Sequence, residues 1–159
     1  MTQTLQLIEL DPHNYDELEK LAAQNPFSGF MQSRDWAKFK ELEGYHVTTV
    51  GFLSDGQLIG GALLYYYPYG QQSGFVICPE GPILDWNDSA LIRSALRALQ
   101  SHCQALTDKF KCVGLRIEPH LPYPCPSALK NWSKSPVVLS PEQTLVLNID
   151  QTEEQLLIN

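Results

Sequence analysis

An apolar run opens the chain and gives way to a helix start. Leu5 to Leu10 reads as a first strand. The pair Asp11-Pro12 is typical of a helix start, because Asp caps free N–H groups and Pro suits the first turn. We therefore predict a helix from Pro12 to Gln24, which Asn25-Pro26 ends.

A second, shorter helix is predicted after a loop over residues 27–30. Ser33 is placed to cap this helix and Gly44 to end it. The helix would present an apolar side formed by Trp36, Phe39 and Leu42.

The middle of the chain predicts a β-hairpin followed by a further strand. Residues 46–53 and 58–67 are rich in apolar and aromatic side chains, and the turn residues Ser54-Asp55-Gly56-Gln57 separate them. Residues 75–78 form the next predicted strand, which the turn at 79–82 ends.

A long amphipathic helix is predicted over residues 88–109, capped by Asn87 or Asp88. Its apolar side chains recur at steps of three and four, which lays one stripe against a sheet: Leu91, Ile92, Ala95, Leu99, Cys103 and Leu106. A buried strand is predicted over residues 112–117. These elements predict an α/β fold in which a mixed sheet carries the long helix on one face.

The last part of the chain predicts a loop, a strand and the start of a helix. Proline interrupts residues 118–126, so this stretch must be an ordered loop, and residues 144–149 form a last predicted strand. Thr152 to Gln155 resembles a capping box, yet the sequence stops at Asn159. We expect one domain over residues 1–159 that is truncated at its C-terminal end.

Composition and charge exclude several classes of function. The chain has a net charge of −7 and no cluster of Lys and Arg, so it lacks the basic surface that nucleic acid requires. No signal-like start and no apolar stretch of membrane length is visible, which favours a cytoplasmic protein. The four cysteines form no C-x-x-C pair, and four scattered histidines complete no ligand set. We predict reduced core thiols and no metal site.

Several local motifs occur together in one order along the chain. Phe30-Met31-Gln32-Ser33 precedes Trp36 and Lys40, and Gly44-Tyr45 follows. The later motifs are Leu58 to Leu64, Glu80-Gly81-Pro82-Ile83-Leu84-Asp85-Trp86, Arg116-Ile117-Glu118-Pro119 with Leu121-Pro122-Tyr123, and Thr144 to Leu147. Taken together, the sequence resembles the FemABX family of peptidoglycan bridge-forming aminoacyltransferases, and the order of elements resembles a GNAT-like fold.

The resemblance implies a transferase that needs no cofactor. Family members pair two GNAT-like domains and transfer an amino acid from aminoacyl-tRNA to the stem peptide of a muramyl-pentapeptide precursor. The chain would supply the precursor-binding first domain, with the aminoacyl-tRNA held mainly by the missing C-terminal half. The sequence shows no Ser-His-Asp or Cys-His pattern, which fits direct attack by the substrate amine.

The resemblance also assigns candidate site residues. Lys40 would contact the diphosphate of the precursor, although Lys38 and Lys40 beside Glu41 and Glu43 also fit a solvated helix face. Trp36 and Tyr69 are candidates to stack on a uracil or a sugar, although aromatic residues on a strand more often pack the core.

Glu118 is the candidate catalytic proton acceptor, in a position where family members often carry Asp. A loop-capping carboxylate paired with Arg116 is the alternative. For the whole chain, the alternatives are a non-catalytic GNAT-like binding module for a nucleotide sugar or protein, and a coenzyme A-dependent N-acyltransferase. The latter is disfavoured because no pyrophosphate-binding loop is recognisable.

Overall fold

In the described part of the chain, five strands form one mixed sheet whose order in space follows their order in the sequence. The strands are β1 (Leu5–Glu9), β2 (His46–Ser54), β3 (Gln57–Tyr69), β4 (Ser73–Cys78) and β5 (Cys112–Ile117). The first four are antiparallel neighbours, and β5 runs parallel to β4. The predicted mixed sheet, with these five strands, is confirmed in this computed structural model, which describes residues 5–11, 15–69, 73–106, 111–121, 124–137, 139, 150 and 152–156.

Among the residues that the structure describes, four α-helices and two short 3₁₀ turns accompany the sheet. The helices are α1 (Tyr15–Gln24), α2 (Arg34–Leu42), α3 (Ser89–Ala105) and α4 (Glu153–Leu156), and the 3₁₀ turns are Phe30–Gln32 and Ser127–Leu129. Two of the predicted caps are confirmed, since Asp88 accepts from the first turn of α3 and Thr152 forms its capping box with Gln155. The predicted helix ends at 12–14 and 107–109 and the predicted strand over 144–149 lie outside the described residues.

The β2–β3 hairpin closes through the predicted Asp55-Gly56 turn. Asp55 has φ 50° and Gly56 has φ 79°, so both central residues adopt left-handed conformations. Such a turn matches the twist of the flanking strands and favours Asp-Gly at its two central positions. Ser54 and Gln57 pair directly across the turn, and a shift of one residue between Phe52 and Leu53 then sets the register of the rest of the hairpin.

The larger core lies between the sheet and α3. Its helix residues repeat every three or four positions, as the sequence predicted, and all of them are buried: Ile92, Ala95, Leu96, Leu99 and Cys103. Leu96 joins the predicted stripe, and Leu91 and Leu106 pack at its margins. Every second residue of the central strands points to this side, including Val50, Phe52, Ala62 and Leu64.

A smaller core lies on the opposite face of the sheet, beneath α1 and α2. Ala37 is the buried residue of α2, and it packs with Tyr15 and Leu63. The predicted apolar side of α2 is therefore wrong in part, because Phe39 is 45% exposed and Leu42 is 88% exposed. The small Ala37 side chain allows α2 to lie close to the sheet, so its larger apolar residues point sideways and outward.

The pairing of β3 with β4 stops at Tyr65 and Ile77, although the backbone of each strand continues beyond this point. Gln32, from the 3₁₀ turn Phe30–Gln32, is fully buried where the two strands separate. The side-chain amide of Gln32 forms hydrogen bonds with the backbone of both segments, which anchors the residues that lead into α2. The position of α2 over the sheet is thus fixed by a polar side chain as well as by Ala37.

Two sequence predictions fail on burial. The strand β5 is not a buried strand, because Cys112 is its buried residue while Val113 is 62% exposed. Cys125 is exposed, unlike the three other thiols, because it lies in the proline-rich loop outside the sheet. No helix in the described part of the chain has the length and apolar character needed to cross a membrane.

Candidate functional site

The C-terminal end of α2 forms one side of a pocket around Lys40, because of the way in which the helix terminates. Gly44 has φ 86°, a conformation that glycine adopts at little cost. The N–H groups of Gly44 and Tyr45 donate to the carbonyls of Glu41 and Lys40, at 2.9 and 3.0 Å. This is the Schellman pattern of helix termination, which brings the residue after the glycine back against the last turn. The Tyr45 ring is thereby placed beside Lys40.

The start of α2 sets the other side of the same pocket. Ser33 caps the helix as predicted, since its hydroxyl accepts from the N–H of Trp36 at 3.2 Å. Trp36 and Lys40 are four residues apart and so share one side of the helix. Phe39 packs against Trp36 with ring centroids 5.2 Å apart.

Lys40 is held in this pocket by aromatic rings and one carboxylate. Its ammonium lies 4.9–5.3 Å from the centroids of four rings, within the range of cation–π attraction, namely Trp36, Phe39, Tyr45 and Tyr65. Nζ also lies 2.7 Å from Oε2 of Glu43. The Lys40 side chain is only 14% exposed, so the solvated-face interpretation is wrong for this residue.

Lys38 does fit the solvated-face interpretation. Its side chain is 64% exposed and its ammonium lies 3.7 Å from Asp35, in a pair of the kind that contributes little to stability. The two lysines are thus distinguished by burial, although the sequence places them two residues apart.

Tyr65 connects the Lys40 pocket to the sheet. On β3 the side chains of Tyr65, Tyr67 and Tyr69 point to the same face because they occupy alternate positions. Tyr45 contacts Tyr65 edge-on and stacks on Tyr67, with centroids 5.5 and 5.9 Å away. Burial raises the pKa of Tyr65 to about 12, and the negative charge of Glu118 adds to this effect. The Tyr65 hydroxyl therefore stays protonated at neutral pH and can donate a hydrogen bond.

Tyr69 lies at the far end of the same aromatic row. It is 69% exposed, and its ring contacts Phe75 of β4, with centroids 6.4 Å apart, rather than the Lys40 pocket. The structure brings Trp36 and Lys40 together. Tyr69 lies on the same face of the sheet, outside the Lys40 pocket, with its ring exposed to solvent.

Glu118 follows β5 and is paired with Arg116, as in the loop-capping alternative. The guanidinium Nε of Arg116 donates to Oε1 of Glu118, and the Glu118 side chain is 13% exposed. Arg116 also donates to Ser135 and to the carbonyl of Val137, both at 2.7 Å. To accept a proton from a substrate, Glu118 would have to share or release this pair.

Sequence reasoning did not assign a role at this site to Glu43, Tyr45 or Tyr65. Gly44 carried a usable signal, because a glycine that ends a helix predicts that the next residue folds back. For a metal ion, the described residues offer no group of three or more His, Cys, Asp or Glu side chains.

Comparisons of sequence place the chain among known proteins. The sequence model of the FemAB family matches residues 14–150. The aminoacyltransferase FemA of Staphylococcus epidermidis is 28% identical over 98 residues, which make up 61% of this chain and 22% of that protein. The chain therefore spans about a fifth of the length of the curated relatives it matches.

Comparisons of structure show the same fold in FemX and in acetyltransferases. The crystal structure of FemX gives a TM-score of 0.64 at 17% identity and covers 79% of this chain and 30% of that one. A probable acetyltransferase gives 0.55 at 12% identity, covering 90% and 98%. An acetyltransferase of Trypanosoma brucei gives 0.52 at 18% identity, covering 92% and 100%. The predicted GNAT-like α/β fold is confirmed.

The match to the family model includes the Lys40 pocket, the aromatic row of β3 and the Arg116–Glu118 pair. Of the motifs that suggested the resemblance, Trp36, Lys40 and Tyr45 form part of the Lys40 pocket, whereas Leu84 and Trp86 pack in the core beside α3. With the family model matched over residues 14–150, the chain belongs to the FemAB family.

Proposed function

We propose that this chain is the precursor-binding part of an aminoacyltransferase of peptidoglycan biosynthesis, which transfers an amino acid from aminoacyl-tRNA to the stem peptide of a muramyl-pentapeptide precursor in the cytoplasm. Family membership and the likeness to FemA support the reaction class. The observation that carries the role of this part is the Lys40 pocket, a preorganised cation on the face of the sheet that also holds the open aromatic rings.

Lys40 is suited to bind the diphosphate of the precursor. Its four aromatic neighbours attract the ammonium and restrict its stem, so little side-chain entropy remains to be lost when an anion binds. An ammonium of this kind is an effective point charge for phosphate oxygens. The Tyr65 hydroxyl would add a hydrogen-bond donor at the same place.

Trp36 and Tyr69 are proposed to contact the nucleotide or sugar parts of the precursor. Tyr69 and Phe75 present exposed rings beyond the pocket, on β3 and on the neighbouring strand β4. Trp36 is half-buried in the pocket wall, and Phe30 packs edge-on against it with 65% of its own surface exposed. Rings of this sort stack on planar or apolar ligand faces.

Glu118 is proposed to act on the attacking amine. Aminolysis of an ester requires a neutral amine and a group that receives its proton. Glu118 directly follows β5, the strand that pairs with β4, and its negative charge contributes to the raised pKa of Tyr65. Glu118 therefore borders the proposed binding face. Its pair with Arg116 orients the carboxylate, and substrate binding would have to loosen this pair.

The aminoacyl-tRNA is proposed to be held mainly by a second GNAT-like domain. This chain has 11 Lys and Arg against 18 Asp and Glu. Four of these basic residues are already paired with carboxylates, namely Arg34, Lys38, Lys40 and Arg116. The excess of acidic residues disfavours association with the tRNA polyanion, because tRNA affinity depends on counterion release by clustered basic residues.

The coenzyme A-dependent alternative is favoured by the size and fold of the matched acetyltransferases. A pyrophosphate needs free N–H groups, such as those at a helix N-terminus. In α3, the helix that follows β4, the Asp88 carboxylate already accepts from Ala90 and Leu91, at 2.8 and 3.0 Å. Its negative charge would also repel phosphate, which favours the muramyl precursor over coenzyme A.

Calorimetry with two ligands distinguishes these functions. We expect the chain to bind a nucleotide-linked muramyl pentapeptide and not acetyl-coenzyme A. Binding of acetyl-coenzyme A alone would establish the acyltransferase alternative. Binding of the precursor, without aminoacyl transfer when the full-length protein is supplied with aminoacyl-tRNA, would establish the non-catalytic binding module.

A further inference from the structure

We propose that Glu43 is an internal competitor for the anion site of Lys40, and that a diphosphate enters the pocket by displacing this carboxylate. The inference rests on the proposed function, because it concerns the same lysine. Glu43 is thereby a specificity-determining residue, which makes the pocket prefer ligands that carry more than one negative charge.

The two members of this ion pair differ in their freedom to move. Glu43 Oε2 lies 2.7 Å from Nζ of Lys40, but the Glu43 side chain is 41% exposed while Lys40 is 14% exposed. The four rings hold the ammonium, whereas water can solvate the carboxylate as soon as it turns away. An incoming anion would therefore move Glu43 and leave Lys40 in place.

The helix itself gains nothing from a negative charge at position 43. Glu43 is the C-cap residue of α2, where the free carbonyl groups already produce a negative potential. The hydrogen bonds that end the helix come from the backbone of residues 43–45 and do not involve this carboxylate. The charge of Glu43 is thus explained by its contact with Lys40 and not by helix termination.

Displacement explains why the pocket would select a diphosphate. A ligand with a single carboxylate would replace Glu43 by an equivalent group, so its binding would gain little free energy. A diphosphate supplies at least two negative charges and several acceptor oxygens, which can engage both Lys40 and the Tyr65 hydroxyl. The Lys40 pocket is therefore expected to bind diphosphate esters and to bind monocarboxylates poorly.

The test compares Glu43→Gln with Glu41→Gln, which removes the same charge from an exposed residue of the same helix. Calorimetry would measure the affinity of each variant for inorganic pyrophosphate and for a nucleotide-linked muramyl pentapeptide. An ion pair of this exposure is weak, so we expect Glu43→Gln to bind both ligands about two- to fivefold more tightly. Glu41→Gln should bind like the parent. Thermal unfolding at the same midpoint as the parent would show that both variants are folded.

Three results would overturn the inference. Equal or weaker binding by Glu43→Gln would mean that Glu43 does not compete, and an equal gain in both variants would reduce the effect to net charge. Lys40→Met separates this failure from that of the proposed function. If Lys40→Met loses both ligands while Glu43→Gln gains nothing, Lys40 keeps its role and Glu43 does not. If Lys40→Met binds like the parent, or the parent binds neither ligand, both proposals fall.

Discussion

The side-chain amide of Gln32 takes the place of a strand partner for Leu63. The N–H of Leu63 donates to Oε1 of Gln32 at 2.8 Å, and Nε2 of Gln32 donates to the carbonyl of Pro79. In the register set by Tyr65 and Ile77, Pro79 would be the next partner of Leu63. Pro79 has no N–H to offer, so the ladder cannot continue, and Gln32 satisfies both chains instead.

Gln32→Ala is expected to lower the free energy of unfolding by about 2–4 kcal/mol, because it leaves the buried groups of Leu63 and Pro79 unpaired and opens a cavity. Urea unfolding followed by circular dichroism would measure the change. Gln57→Ala is the matched control, since Gln57 is exposed at the start of β3. A loss for Gln32→Ala no larger than that of the control would show that water replaces the amide.

Lys40→Met is expected to weaken the binding of a nucleotide-linked muramyl pentapeptide by about 1–3 kcal/mol, the range for hydrogen bonds to charged groups. Methionine keeps an apolar stem among the rings and removes the charge, so the pocket should stay packed. Lys38→Met, on the exposed side of α2, is the control and should bind like the parent. Calorimetry on the full-length protein decides, and equal affinities of the three proteins would leave the diphosphate without a partner here.

The chain is expected to lose stability between about pH 10 and pH 12. Burial raises the pKa of Tyr65 and of Tyr15 to about 12, whereas both titrate near 10 in the unfolded chain. The folded state therefore holds more protons in this window, and its stability falls as pH rises. Urea unfolding at pH 9 and pH 11.5 should show a smaller decrease for Tyr65→Phe than for the parent. Equal decreases would mean that Tyr65 titrates normally.

Among the four thiols, Cys125 is expected to react first with a thiol reagent in the native protein. It is exposed, whereas burial raises the pKa of Cys78 and Cys103 and so keeps them in the unreactive thiol form. Absorbance assays with a disulfide reagent should show one fast thiol, followed by slower ones that need unfolding. Cys125→Ser should remove the fast phase, and a fast phase that persists in this variant would contradict the assignment.

The 159-residue chain is expected not to bind tRNA appreciably. Its net charge of −7 opposes association with a polyanion, since 18 acidic residues outnumber 11 basic ones. Fluorescence anisotropy at near-physiological salt would test this. Submicromolar affinity would contradict the prediction and would place part of the tRNA site in this chain.

The elements of the fold could be predicted because their signals are local. The Asp55-Gly56 turn and the Asp88 cap each depend on neighbouring residues, and the stripe of α3 depends on a period of three or four. Helix periodicity places Lys38 and Lys40 on different sides of α2. The burial of Lys40 could not be predicted in this way, because it depends partly on Tyr65, which reaches the pocket through the register of the sheet.

The burial of individual aromatic side chains also could not be predicted from the sequence. Trp86 and Tyr69 are both aromatic residues that the sequence leaves open to a packing role, yet Trp86 is 4% exposed and donates to the Pro82 carbonyl at 3.3 Å, while Tyr69 is open to solvent. Trp86 packs in the core beside α3, whereas Tyr69 is the last residue of β3. Periodicity shows that a residue alternates, but not which elements pack above it.

The Lys40 pocket is nearly a local structure. Five of its six members come from one segment of ten residues, 36–45, and only Tyr65 is supplied from elsewhere. The Ser33 cap and the glycine at position 44 set the two ends of the helix that holds those five residues. The proposed anion site could therefore be moved to another scaffold as one continuous segment, provided that the new surface offers one ring in the position of Tyr65.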